Sequence, residues 1–105
     1  MSKYITTDPT LSNRLSRTAN VIMLLLYLQV DNNNIINKPK FIRRSSIKLE
    51  KRTWDKYWKE LEIKQVLVQS KQEFWMLSPH QCYAEGASFK SLTATWVKLI
   101  KSQYG

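Results

Sequence analysis

The sequence predicts a mainly α fold with a small β-hairpin, formed as a single domain over residues 1–105. A chain of 105 residues, 43% of them apolar, is long enough to bury one modest hydrophobic core. Trp54, Trp58 and Leu61 follow each other at i, i+4 and i+7, which is the spacing of a buried helical stripe. The segment 66–77 holds two apolar-rich stretches around a short polar gap, which is typical of a hairpin.

The first predicted element is a helix over 9–30. Pro9 suits the first helical turn, and Asp8 or Thr7 supplies its cap. Five apolar residues recur at helical spacing, namely Leu11, Leu15, Ala19, Ile22 and Leu26. From Val21 onward the opposite face is apolar as well, so we expect this helix to be buried all round. It is then either the centre of the domain or shared with a second subunit.

Three further elements follow up to residue 63. Ile35 and Ile36 predict a short edge strand over 35–37. A helix is predicted over 39–48 with an apolar inner face, formed by Phe41, Ile42 and Ile47. The next helix is predicted over 51–63, where Trp54, Trp58 and Leu61 face the core. Stacking of the two tryptophans on single-stranded bases is the alternative, and core packing is the stronger interpretation.

The carboxyl-terminal third is predicted as the hairpin over 66–77 and a helix over 88–103. On the second strand Phe74 and Trp75 alternate, so one of them faces the core and the other does not. The helix has an apolar face of Phe89, Leu92, Trp96, Leu99 and Ile100. This face and the first helix offer more apolar surface than a small core covers, which predicts a homodimer built from terminal helices.

Positive charge is concentrated in the 22 residues 38–59. Nine basic side chains face two acidic ones there, which gives +7 of the total net charge of +9. The basic residues are Lys38, Lys40, Arg43, Arg44, Lys48, Lys51, Arg52, Lys56 and Lys59, and the acidic ones are Glu50 and Asp55. Because the stretch is predicted as two helices joined by a tight turn, its charge lies where a helix-turn-helix contacts a polyanion.

The predicted order of helix, strand, helix, helix, hairpin and helix is that of a winged helix-turn-helix. Within it, several short motifs resemble plasmid replication initiators of the RepL type, which look like MarR-style regulators. The motifs are Arg17-Thr18-Ala19-Asn20, Leu24-Leu25, Arg52-Thr53-Trp54, Lys59-Glu60-Leu61, Val66-Leu67-Val68, Phe74-Trp75-Met76-Leu77-Ser78-Pro79 and Gly86. The chain departs from that family at Glu50, where a capping Ser is usual, and at Ser78, where Asn is usual.

The resemblance implies that helix 51–63 enters the major groove of DNA. Arg52 would then reach guanine O6 and N7, and Thr53 would contact a base or a phosphate. Contacts to phosphates and a flanking groove would come from Lys51, Lys56 and Lys59, from Arg43, Arg44 and Lys48, and from Lys71 at the tip of the wing. Asp55 either accepts from cytosine N4 or forms an ion pair with Lys51 or Lys59.

We therefore expect a cytoplasmic, sequence-specific protein that binds double-stranded DNA as a homodimer, without a cofactor. It would act as a transcriptional regulator or as a plasmid or phage replication initiator. One alternative is an interaction module that docks on an acidic partner such as a polymerase or the replication machinery. Another is general single-strand binding, which would depend on aromatic stacking.

Other chemistries find little support in the residues. His80 and Cys82 are the only His and Cys, whereas structural zinc needs four ligands, so we expect no metal site. Gly86 and Gly105 are the only glycines, which excludes a glycine-rich phosphate loop. Glu60 and Glu62 lie two residues apart on a helix and are interpreted as separate surface residues. We expect a non-enzyme, and no membrane span, because the apolar run 21–28 is too short.

Overall fold

The computed structural model describes residues 3–5, 15–84 and 86–104, and within them the chain forms four helices and five short strands. The helices are α1 (Arg17–Gln29), α2 (Lys38–Arg44), α3 (Lys51–Ile63) and α4 (Phe89–Tyr104). The strands are β1 (Lys3–Ile5), β2 (Ile35–Asn37), β3 (Leu67–Gln69), β4 (Phe74–Leu77) and β5 (Cys82–Ala84). A helix-rich fold with a β-hairpin is thus confirmed.

Two antiparallel sheets organise the strands. β4 lies between β2 and β3, so that the edge strand β2 extends the β3–β4 hairpin into a three-stranded sheet. Ile36 is opposite Trp75, and Val68 is opposite Met76. β1 pairs with β5 in a separate two-stranded ladder, which no pattern in the sequence predicted.

The three-stranded sheet is covered on both faces. Leu67 and Leu77 belong to the main core, which contains residues of α1, α2 and α3. Val68 and Met76 alternate with them and pack instead against Leu92 and Trp96 of α4. The apolar face of α4 therefore finds its partner within the chain, on the side of the sheet opposite to α3.

Helix α1 begins later than predicted. Ser16 is its N-cap, with extended backbone and a side-chain oxygen that accepts from the Ala19 amide at 3.2 Å. A single helix from residue 9 to residue 30 is therefore wrong. Its predicted start, including Thr7, Asp8, Pro9 and Leu11, lies outside the described residues. The predicted end at about residue 30 agrees with the C-cap at Val30.

The expectation that α1 is buried all round is also wrong. Ala19, Ile22 and Leu26 are fully buried, but Val21, Leu24 and Leu28 on the other side are 39%, 56% and 76% exposed. The helix therefore covers the core with one face and leaves an apolar stripe uncovered, which rules out the interpretation of a central helix.

Helix α2 is shorter than the predicted 39–48. It ends at Arg44, because Ser45 adopts an extended backbone and its hydroxyl accepts from the Ile47 amide at 3.2 Å. Ser side chains compete with helical hydrogen bonding in this way and favour helix ends. Ile47 is still half-buried, as expected, whereas Lys48 lies in the connection to α3 instead of on a helix.

The other elements match the prediction closely. The strand 35–37, the helix 51–63, the hairpin and the last helix are present within a residue or so at each end. Trp75 is buried and Phe74 is 40% exposed, as the alternation required. Phe89 was expected on the buried face of α4 but is 41% exposed, and it packs against the rings of His80 and Tyr83 instead of the sheet residues Val68 and Met76.

Candidate nucleic-acid interface

The orientation of α3 is set by three aromatic residues that pack together. Trp54 and Trp58 are each 2% exposed, and the Phe41 ring of α2 lies 5.9 Å and 5.8 Å from theirs, edge-on to Trp54 and tilted to Trp58. Aromatic contacts of this kind add to the free energy of area burial. The tryptophans are thus core residues, and the opposite side of α3 is turned outward.

The outward side of α3 and its surroundings carry exposed cations. We call the following set the basic surface: Arg43, Arg44, Lys48, Lys51, Arg52, Lys56 and Lys59, all of which are exposed. Arg52, Lys56 and Lys59 recur at the i, i+4, i+7 spacing of one helical face. None of the seven is packed into the body of the described chain, so the predicted cationic side chains remain accessible to a ligand.

Two members of the basic surface have local partners, and their neighbour Thr53 is partly buried. The Lys56 Nζ lies 5.3 Å from the centre of the Tyr57 ring, within the range of a cation–π contact. The Lys59 Nζ lies 3.6 Å from a carboxylate oxygen of Glu62. Since this pair is solvent-exposed on the lysine side, it restrains the charge of Lys59 only weakly. Thr53 is half-buried, which leaves its side chain partly accessible beside Arg52.

Asp55 forms an ion pair that the sequence did not indicate. Its Oδ1 lies 3.1 Å from the Nζ of Lys38, and Asp55 forms no ion pair with Lys51 or Lys59, the partners expected from helical spacing. Lys38 is the first residue of α2, and its Nζ also lies 5.2 Å from the centre of the Trp58 ring. Lys38 belongs to the basic stretch 38–59, but its pairing with Asp55 joins residues 17 positions apart. Such a contact depends on how two helices pack, so the sequence did not indicate it.

The hairpin turn lies next to the beginning of α2. The amide of Lys38 donates to the carbonyl of Glu73 at 2.9 Å, directly after the pairing of Asn37 with Phe74. Lys71 is exposed at this turn, and the 40% exposed Phe74 follows it. The structure therefore places the predicted wing residue Lys71 on the same end of the sheet as the start of α2.

The start of α3 is open. Glu50 is its N-cap but makes no side-chain capping hydrogen bond, so its carboxylate does not occupy the first amides of the helix. Lys51 and Arg52 follow directly and are exposed. Amides at a helix start favour anions, and the two cations beside them add to that preference.

Glu60 and Glu62 were predicted to be separate surface residues, but they are less exposed than that prediction implied. Both are half-buried. Glu60 accepts from the amide and the hydroxyl of Ser16, at 2.7 Å and 2.9 Å, and Glu62 pairs with Lys59. The acidic residues of α3 are therefore each engaged by a partner.

The residues considered for other chemistry occupy structural positions. Cys82 is buried in β5, and His80 is exposed with its ring 5.8 Å from that of Phe89. Among the described residues, no group of three His, Cys, Asp or Glu side chains could hold a metal ion.

Burial, with a smaller contribution from the nearby Cys82 thiol, raises the pKa of Tyr27 to about 12.

Comparison with protein-family models, curated proteins and solved structures found no match to this chain. No helix in the described ranges is both long enough and apolar enough to cross a membrane.

Proposed function

We propose that this protein binds double-stranded DNA sequence-specifically through a winged helix-turn-helix. In this proposal α2 and α3 are the two helices of the motif, α3 is the recognition helix, and β3–β4 is the wing. The order of elements and the sheet order β2–β4–β3 support it, because a strand before the motif then completes the sheet of the wing.

The observation that carries the proposal is the imbalance of accessible charge on α3. Arg52, Lys56 and the other cations of the basic surface are exposed. Two of the three acidic residues of α3, Glu60 and Glu62, are half-buried and contact Ser16 and Lys59. The third, Asp55, has one oxygen on Lys38 and stays 51% exposed. A helix that exposes four cations and one carboxylate is complementary to the phosphates that border a major groove.

The biological output would be transcriptional regulation or initiation of plasmid or phage replication in the cytoplasm. Both roles would use the same DNA-binding surface, so they differ in where the bound DNA site lies and not in the protein. Arg52 is proposed to contact a guanine, Thr53 a base or a phosphate, and the lysines and arginines of the basic surface the phosphates. Lys71 would reach the flanking groove from the hairpin turn. The function needs neither a cofactor nor catalysis.

The test begins with selection of DNA fragments by the protein near physiological salt. Lys56→Ala is then compared with Lys98→Ala, since both remove one exposed lysine from the middle of a helix and α4 lies across the sheet. We expect Lys56→Ala to weaken binding and to reduce the salt slope by about 0.9, the value for one phosphate contact on duplex DNA. Lys98→Ala should change neither.

Three outcomes would contradict the proposal. Equal effects of the two variants would mean that binding depends on net charge and not on α3. Equal affinity for unrelated single strands would indicate single-strand binding instead. Retention of an acidic protein such as a polymerase subunit, without selection of any DNA fragment, would favour the interaction module.

We propose further that the protein is a homodimer joined through the exposed stripe of Val21, Leu24 and Leu28. Its residues are spaced by three and then four positions, as in the contact faces of packed helix pairs. Arg17 is the only charged residue of α1, so two copies of a chain with net charge +9 can approach there without strong repulsion. The last helix is not included, because its apolar face already packs on the sheet.

Sedimentation of the Leu24→Asp variant tests the dimer. Val97→Asp on α4 is the control, because Val97 is 42% exposed and Leu24 is 56% exposed. We expect the wild type and Val97→Asp to be dimers at micromolar concentration and Leu24→Asp to be a monomer that is still folded. A wild-type monomer would contradict the dimer while leaving DNA binding open to its own test.

A further inference from the structure

Lys38 connects three parts of the candidate interface. Its amide donates to Glu73 in the hairpin turn, its Nζ lies 3.1 Å from the Oδ1 of Asp55, and the same Nζ lies 5.2 Å from the centre of the Trp58 ring. Only 24% of the Lys38 side chain is exposed. Its ammonium group thus lies against the buried Trp58 ring and the Asp55 carboxylate, and its amide is held by the hairpin turn, unlike the exposed lysines of the basic surface.

The contact fixes how Asp55 is presented. One carboxylate oxygen is engaged by Lys38, while 51% of the Asp55 side chain remains exposed. Asp55 lies three residues after Arg52, and both are on the exposed side of α3. The surface therefore presents a positioned hydrogen-bond acceptor next to the donor proposed for guanine.

We propose that Asp55 reads a cytosine and that Lys38 is the residue that positions it. The inference rests on the proposed function, since it assigns a base to one position of the same DNA-reading helix. The Oδ2 atom would accept from the N4 amino group of cytosine, while Oδ1 stays on Lys38. The positive charge of Lys38 also lowers the repulsion between the carboxylate and the DNA phosphates.

The chemistry of the major groove favours cytosine over the other three bases. Guanine and thymine present carbonyl oxygens to the groove, and these repel a carboxylate. Adenine offers an amino group, but its N7 acceptor lies beside it. A carboxylate held in one orientation discriminates better than a mobile one, because it cannot turn away from a repulsive neighbour.

The spacing of Arg52 and Asp55 predicts where this cytosine lies. Three residues advance about 4.5 Å along a helix, which is close to the roughly 3.4 Å between successive base pairs. The two side chains should therefore read base pairs that are adjacent or nearly so. We expect the selected site to contain a guanine for Arg52 with a cytosine beside it.

The experiment measures the affinity of the selected site with each of the four base pairs at every position. We expect the wild type to prefer one cytosine by roughly tenfold, and Asp55→Ala to abolish this preference at that position alone. Lys38→Met should reduce the same preference several-fold, and Lys38→Arg should restore most of it. Thermal melting of each variant confirms that it is folded.

Lys40→Met is the matched control, because Lys40 lies on the same helix and is exposed. It should weaken binding to all sequences alike. A wild-type protein that selects no DNA would overturn the proposed function itself. Two outcomes would overturn this inference alone in a protein that does select a site. One is a base preference unchanged by Asp55→Ala, and the other is the same change in base preference for Lys38→Met as for Lys40→Met.

Discussion

Glu60 in α3 binds Ser16 at the start of α1 with both carboxylate oxygens. Oε2 accepts from the Ser16 amide at 2.7 Å and Oε1 accepts from its hydroxyl at 2.9 Å. The Ser16 oxygen in turn accepts from the Ala19 amide and caps α1. One carboxylate thus holds the cap of the first helix against the end of the proposed recognition helix.

Glu60→Ala should lower the free energy of unfolding by about 1–2 kcal/mol, because two charge-assisted hydrogen bonds and the anchor of a helix cap are lost together. Urea denaturation measures the change. Glu73→Ala, which removes the same charge from the exposed hairpin turn, should have little effect. If the two variants were equally stable, the Ser16 contact would add nothing to stability beyond the effect of removing one negative charge.

Asn34 holds the start of β2 by its side chain and by its backbone. It is fully buried with a φ of +59°, and its Nδ2 donates to the carbonyls of Leu77 and Cys82 at 3.1 Å and 2.6 Å. Asn34→Gly keeps the left-handed backbone but loses both bonds, so we expect a loss of about 2 kcal/mol. Asn34→Ala should lose roughly 1 kcal/mol more through backbone strain.

Denaturation of these two variants beside Asn33→Ala tests the prediction. Asn33 is exposed in the same loop, and its side chain makes none of these contacts. Equal stability of the Gly and Ala variants would show that the left-handed backbone carries no cost here.

Leu61 should be far more sensitive to truncation than Ile63, although both lie in the last turn of α3. Leu61 is fully buried, and Ile63 is 63% exposed. Leu61→Ala should cost about 2–5 kcal/mol through lost burial and a residual cavity, whereas Ile63→Ala should cost well under 1 kcal/mol. Denaturant midpoints that shift equally would contradict the assignment of the buried face.

Tyr27 should make stability depend on alkaline pH. Its pKa is raised from 10.0 to about 12 in the folded chain, mainly by burial. The neutral phenol is therefore favoured by folding, and this stabilisation is complete below pH 10 and lost as the pH rises from about 10 to about 12. Tyr27→Phe should show a smaller loss of stability across that interval than the wild type, by urea denaturation at each pH. The same pH dependence of the unfolding free energy in both proteins would contradict this prediction.

Much of the fold could be predicted because the signals are local. The Trp54, Trp58 and Leu61 spacing fixed the buried face of α3, and the polar gap within 66–77 located the hairpin. The start of α1 and the end of α2 were not predicted, because Ser16 and Ser45 bound these helices through side-chain contacts that apolar spacing does not reveal. The β1–β5 ladder joins strands from opposite ends of the chain, and neither strand has a strong pattern of its own.

For the candidate interface, the sequence determined which residues are charged and that one face of α3 must point away from the core. It determined this because helical periodicity and residue chemistry are properties of short segments. Only the tertiary structure decided that Asp55 meets Lys38, that Glu60 meets Ser16 and that α4 covers the sheet. These contacts depend on how elements distant in the sequence pack against each other, and no local pattern encodes that packing.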